Sequence, residues 1–219
     1  MGYKYTLFVV IAVTVGLILI GFVVGFQLKK IKDKTKPVQI PDTNETFLVQ
    51  NNPNEPEWIA IEVAKRLSNL AKIGDTIVSY MQRYQLPDAE IAQRLASRWK
   101  TIRNNPFGLR ETSKIEQTAA YTVNKGEELR ICIRDHTSSS TNNNNSFQNE
   151  NTGVMVLLHE LAHLMSVTYG HNLEFKKNFA YITKMAVQLG LYNYIDYRKH
   201  PTNYCGTDIT HPPFLIDDD

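Results

Sequence analysis

From Tyr5 to Phe26 the chain is apolar and carries no charge. As a helix rising 1.5 Å per residue this run is about 33 Å long, enough to cross a hydrocarbon core of ~30 Å, so it predicts one transmembrane helix. A cleaved signal peptide has a shorter apolar core, ~7–15 residues, ending at small side chains; this one is longer and ends Gly25-Phe26-Gln27. Residues 28–55 then turn polar, carry Pro37, Pro41 and Pro53, show no periodicity, and read as a flexible tether. From Pro56 the pattern changes to apolar residues three and four apart. Ala60, Val63, Ala64, Leu67, Leu70, Ala71, Ile77, Val78 and Met81 make one face of a long helix, or of two end-to-end helices joined near Gly74. Pro87-Asp88 opens a second helix with Ile91, Leu95, Trp99 and Ile102 on one side, closed by Asn104-Asn105-Pro106.

The period then falls to two. Thr118–Val123 and Glu128–Arg134 bracket Asn124-Lys125-Gly126-Glu127, a hairpin signal. In the second strand Leu129, Ile131 and Ile133 face a core, while Glu128, Arg130, Cys132 and Arg134 form a polar face. The Ser/Thr/Asn run over 137–145 cannot build a core and reads as a mobile loop. Val154-Met155-Val156-Leu157-Leu158 is apolar on all sides and predicts a buried helix. A last helix face follows in Leu173, Phe175, Phe179, Ile182, Met185, Ala186 and Leu189, stopping at Gly190. The tyrosine-rich tail (Tyr192, Tyr194, Tyr197, Tyr204) and His200 contain candidates for an oxyanion donor, among which sequence does not choose.

A net charge of +2 over 219 residues argues against a nucleic-acid partner. The lysines at 29, 30, 32, 34 and 36 flank the apolar run on one side only, which by the positive-inside rule sets the following domain on the cytoplasmic side of the membrane. Gly21 and Gly25 have the spacing that lets two such helices pack, a weak self-association signal, and Gly2 fits the loose myristoylation pattern. Cys132 and Cys205 are too few for a disulfide framework; reduced thiols suit a cytoplasmic domain, and a single bridge suits the opposite orientation.

The chemistry is concentrated at His159-Glu160-Leu161-Ala162-His163, followed after seven residues by His171. On a helix, positions i and i+4 share a face, so His159 and His163 reach one metal ion together. Glu160 is one step round, where its carboxylate can act on a water as general base. Catalytic zinc takes three protein ligands, and Gly170, as the residue that ends the helix after Thr168, would turn the chain to deliver His171 as the third. Glu174 is the alternative ligand, with His171 preferred because imidazole is the commoner donor. The metzincin pattern is excluded, because its glycine and third-histidine positions hold Ser166 and Tyr169.

His159-Glu160-x-x-His163 with Gly170-His171-Asn172-x-x-Phe175 resembles the minimal zinc metalloproteases of the WLM and SprT-like group. The resemblance implies Zn2+ held by His159, His163 and His171, with Glu160 as general base and Phe175 as a packing residue. It implies an α+β fold: a helix-rich, zincin-like catalytic domain with a small antiparallel sheet, here preceded by the transmembrane helix. The organisation expected is therefore an anchor over 1–27, a tether over 28–55 and a metallopeptidase domain over 56–219, contacting the bilayer through residues 5–26. The expected activity is hydrolysis of a protein or peptide substrate by a metal-activated water. A non-peptidase zinc hydrolase and a membrane-bound interaction protein with a structural metal, completed by Cys132 or Cys205, are the alternatives.

Overall fold

Glu57–Tyr84 forms a single uninterrupted 28-residue helix, α1. Gly74 is a packing position within it rather than a join. A Cβ there would lie 2.4 Å from the Trp99 ring, so the missing side chain is what lets α2 (Ala89–Asn104) approach. Trp99 Nε1 then reaches Asp75 Oδ1 at 2.7 Å. The start of α2 is set locally, with the Asp88 carboxylate accepting from the Ile91 amide at 2.9 Å. The computed structural model describes residues 35–113, 116, 118–135 and 147–214.

Five strands form one sheet in the order β1-β2-β3-β5-β4: Thr35–Gln39, Thr46–Gln50, Leu109–Glu111, Glu128–Ile131 and Ala120–Val123 in that order across it. β1 pairs antiparallel with β2, and β4 with β5, but β2–β3 and β3–β5 are parallel. The sheet is therefore mixed, not the small antiparallel one expected. A parallel neighbour needs a long crossover, and the two helices α1 and α2 supply it between β2 and β3.

Residues 28–55 are likewise corrected, since β1 and β2 lie within the stretch read as a tether. Phe47 and Val49 are buried beneath α1, and four residues of alternation are too few to stand out among prolines and asparagines. The polar face expected over Glu128–Arg134, whose last residues lie beyond β5, departs from expectation too. Arg134 is buried against Glu55 at 3.0 Å and against the Glu111 carboxylate, so this polar face is an internal ion-pair cluster.

Glu150–Met165 (α3) runs through the middle of the molecule, touching α1, α2, β4, β5 and the antiparallel partner α4, Leu173–Gln188. A terminal hairpin, β6 (Thr202–Tyr204) and β7 (Thr207–Ile209), is fastened by a Cys132–Cys205 disulfide and by Tyr204 Oη donating to Cys132 O at 2.7 Å. Of the two states the sequence left open for these cysteines, the structure shows the single bridge. Their pairing reflects a closeness, across 73 residues of sequence, that only the folded chain creates.

The transmembrane helix expected over residues 5–26 lies outside the described residues, as do Gly2, Gly21, Gly25 and the 137–145 run. No helix among the described residues is long and apolar enough to cross a membrane. α1 has the length, but its apolar residues fill one face only, with Lys65, Arg66 and Lys72 on others. Over the described residues the fold is accordingly α+β, with no membrane-spanning helix among them. The single-pass localisation and its cytoplasmic catalytic side find no support in these residues and are withdrawn; the bilayer contact expected through residues 5–26 lies outside them.

Candidate metal centre

Between Thr152 and Met165 every residue of α3 is buried except two, His159 and His163. The helix is thus a core element with one opening, and both imidazoles stand in it. Their spacing puts them one turn apart, with ring centroids separated by 4.9 Å. His171 arrives from the loop before α4. Its Nε2 lies 3.0 Å from His159 Nε2 and 3.2 Å from His163 Nε2. Tetrahedral zinc with Zn–N of about 2.0–2.1 Å spaces two ligand nitrogens roughly 3.3 Å apart, close to both separations from His171, and all three donor atoms lie within 4.8 Å of one another. These are the residues among those described whose donor atoms converge in a metal-sized cluster, and Glu174 is not with them.

Instead, Glu174 builds the loop. Its carboxylate accepts from Val167 N at 2.7 Å, Thr168 N at 3.0 Å and Thr168 Oγ1 at 2.5 Å, and the Thr168 hydroxyl foremost pulls its pKa down to about 2. Phe175 backs the centre, with its ring 4.3 to 4.8 Å from all three imidazoles. Burial, then the neighbouring imidazoles, hold His159 at about 3; burial, His171 and Lys125 hold His163 at about 4. Both rings are therefore neutral, the ligating form, at ordinary pH.

Glu160 is only 4% exposed, yet it borders the same cleft as His159 and His171. Thr122 Oγ1, on β4, donates to Glu160 Oε2 at 2.6 Å. Burial nonetheless raises the carboxyl to about 7, against the pull of that bond. A carboxylate poised near neutrality suits proton transfer in both directions.

A cleft runs past the centre in two lobes of about 330 and 370 Å³, both bordered by Ala120, His159, Glu160 and His171. Tyr121, Lys125 and Tyr169 wall the first; Phe179, Ile209 and His211 help wall the second. β4 forms the rim between them and lies at the sheet edge. Thr122, Lys125 and His211 were not singled out as site residues from the sequence, because strand, turn and tail meet only in the fold. None of Tyr192, Tyr194, Tyr197, Tyr204 and His200 borders either lobe. Tyr204 bonds Cys132 O, and Tyr194 Oη donates to Phe214 O at 3.0 Å. The fourth ligand of a structural site, Cys132 or Cys205, is also removed, because each sulfur is bonded to the other.

No family model matches the chain, and no solved structure does. Two proteins of viruses are similar to it. Uncharacterized protein 136R of Invertebrate iridescent virus 6 is 28% identical over 126 residues, covering 57% of this chain and 67% of that protein. Uncharacterized protein R325 of Acanthamoeba polyphaga mimivirus is 30% identical over 192 residues, 87% of this chain and 90% of that protein. A match of that length in a 219-residue chain necessarily spans residues 159–171. Histidine centre, buried glutamate and strand rim thus lie within the shared region, and the chain belongs to one family with protein R325 of Acanthamoeba polyphaga mimivirus.

Proposed function

We propose that this protein is a zinc-dependent peptidase of the WLM/SprT-like kind. The observation that carries the reading is the convergence of three imidazoles, with His159 Nε2 and His163 Nε2 at 3.0 and 3.2 Å from His171 Nε2, next to a buried carboxylate. His159, His163 and His171 would hold the zinc, whose chemistry when bound would be to lower the pKa of a water to ~7 and polarise a carbonyl. Glu160 would accept a proton at its carboxylate and return it to the departing amine. Thr122 Oγ1, donating to Glu160 Oε2 at 2.6 Å, would fix the orientation of that carboxylate.

Substrate form follows from the rim. An extended peptide fits a sheet edge through main-chain hydrogen bonds, and β4 offers such an edge along both lobes. A peptide lying there has its scissile bond beside Ala120, with side chains entering the lobes alternately.

The test uses the purified full chain. Zinc is measured by atomic emission, and cleavage of an unfolded, dye-labelled protein is followed with and without chelator. The expected result is about one zinc per chain and new amino termini that vanish on chelation and return with zinc. A folded, zinc-loaded chain that leaves peptide bonds intact would sink the proposal and turn attention to other zinc-dependent hydrolysis.

A further inference from the structure

Nothing in the local sequence of α3 ends it where it ends. Met165 is the last helical residue, and Ser166 departs in extended backbone, φ −86° and ψ 142°, without a left-handed residue to close the turn. Gly170, at φ 80°, stands too far along to do so. A helix stopped in this way strands its last four carbonyls. Ser166 serves the first two, its Oγ donating to Ala162 O at 2.8 Å and its amide to His163 O at 3.3 Å. The other two are served from a distance. Arg98 Nη1 donates to Leu164 O at 2.8 Å, and Arg94 Nη1 to Met165 O at 2.6 Å.

The same cations continue along the loop. Arg98 also reaches Ser166 O at 2.8 Å, and Lys125 Nζ donates to Ser166 O at 3.3 Å, to Val167 O, and to Thr168 O at 2.9 Å. On the amide side Glu174 holds Val167 and Thr168, while Asn172 Nδ2 holds Thr168 Oγ1 at 2.5 Å.

Lys125 occupies its place against its own preference. It sits at φ 53° in the β4–β5 turn, a left-handed conformation that lysine rarely adopts. The turn is pressed onto α2 at Arg98, because Gly126 has no side chain. A Cβ there would stand 3.0 Å from Arg98 Cβ and 3.2 Å from Arg98 O. Strain of this kind persists only where the surroundings over-determine it.

We propose that Arg94, Arg98 and Lys125 are positioning residues for the third metal ligand. They stop α3 at Met165 and steer Ser166–Thr168 so that His171 returns to His159 and His163. The inference rests on the metal-site reading above. Without the three cations, only the hold of Glu174 on the Val167 and Thr168 amides opposes continuing the helix, and each added residue would rotate the departing chain by about 100°. His171 would then leave the cluster.

The experiment compares the full-length wild type with Lys125→Met, Arg98→Met and the double variant, and with Lys125→Arg as the conservative control. Zinc dissociation is read by competition with a chromophoric chelator. Amide hydrogen exchange is read on the metal-free proteins. The expected result is zinc binding weakened about 10–100-fold in the double variant and largely retained in Lys125→Arg. Faster exchange should be confined to residues 164–171. Unchanged zinc affinity in a folded double variant overturns the proposal, as does faster exchange spread evenly over the molecule. Should the double variant not fold, Lys125→Met decides alone, because its ammonium lies partly exposed at the loop. A wild type that binds no zinc refutes the metal reading itself, and loop exchange then still judges the clamp.

Discussion

The two halves of α3 are built by opposite means. Glu150–Leu158 is apolar from Gly153 onward and begins on a local cap, with Asn149 Oδ1 accepting from the Thr152 amide at 3.0 Å. His159–Met165 holds the histidines and Glu160, and is brought to an end by arginines sixty or more positions away. The first half is fixed by neighbours in sequence, the second by neighbours in space. Stability and chemistry should divide along the same line.

The largest effect should fall in the second half. Glu160→Gln is expected to lower turnover about 10²–10⁴-fold while zinc content stays near that of the wild type, checked by initial rates and metal analysis. A variant cleaving at the wild-type rate would remove Glu160 from the reaction. Next comes Leu157→Ala in the first half, where a fully buried side chain is deleted from the core. We expect a loss of about 2–5 kcal/mol in denaturant unfolding, with zinc affinity kept wherever the protein remains folded. A smaller loss, ~1 kcal/mol, is expected for Asn149→Ala, with no change in metal binding. If that substitution weakened zinc as much as the loss of Arg98, the division between halves would collapse.

The smallest effect concerns the loop. The pKa of Glu174 is depressed, so its hold on Val167 and Thr168 is complete above its ordinary pKa of 4.5 and is lost as pH falls through about 2. In metal-free protein, Glu174→Gln should therefore speed exchange at those two amides near neutral pH while barely moving the unfolding midpoint. The wild type should approach the variant only in strong acid.

What the sequence could be read for follows the same division. The i, i+4 histidines, the apolar stretch before them and the Asp88 and Pro106 helix boundaries depend on residues within a turn or two of each other. β3 could not be read. It is three residues long, and two of them, Arg110 and Glu111, are charges whose burial makes sense only with Glu128 and Arg134 in view. The helix seemed able to run on to Thr168 because Val167 and Thr168 do not forbid it. What opposes it is Arg94, Arg98 and Lys125 on the carbonyl side, none of them nearby in sequence, together with Glu174 on the amides of Val167 and Thr168. β1 and β2 were hidden because Phe47 and Val49 are the only buried apolar pair in a polar setting. Peptidase activity and zinc remain proposals because they are properties of the loaded centre, which the tests above address.

The bond between Cys132 and Cys205 also makes a covalent ring, and Glu160 and all three histidines lie on it. A single backbone cut anywhere between those cysteines leaves both pieces joined, and an electrophoresis gel run without reductant would report them as one intact band. Any such cut would therefore pass unnoticed, with the nicked form counted among the whole molecules until thiol is added to the sample.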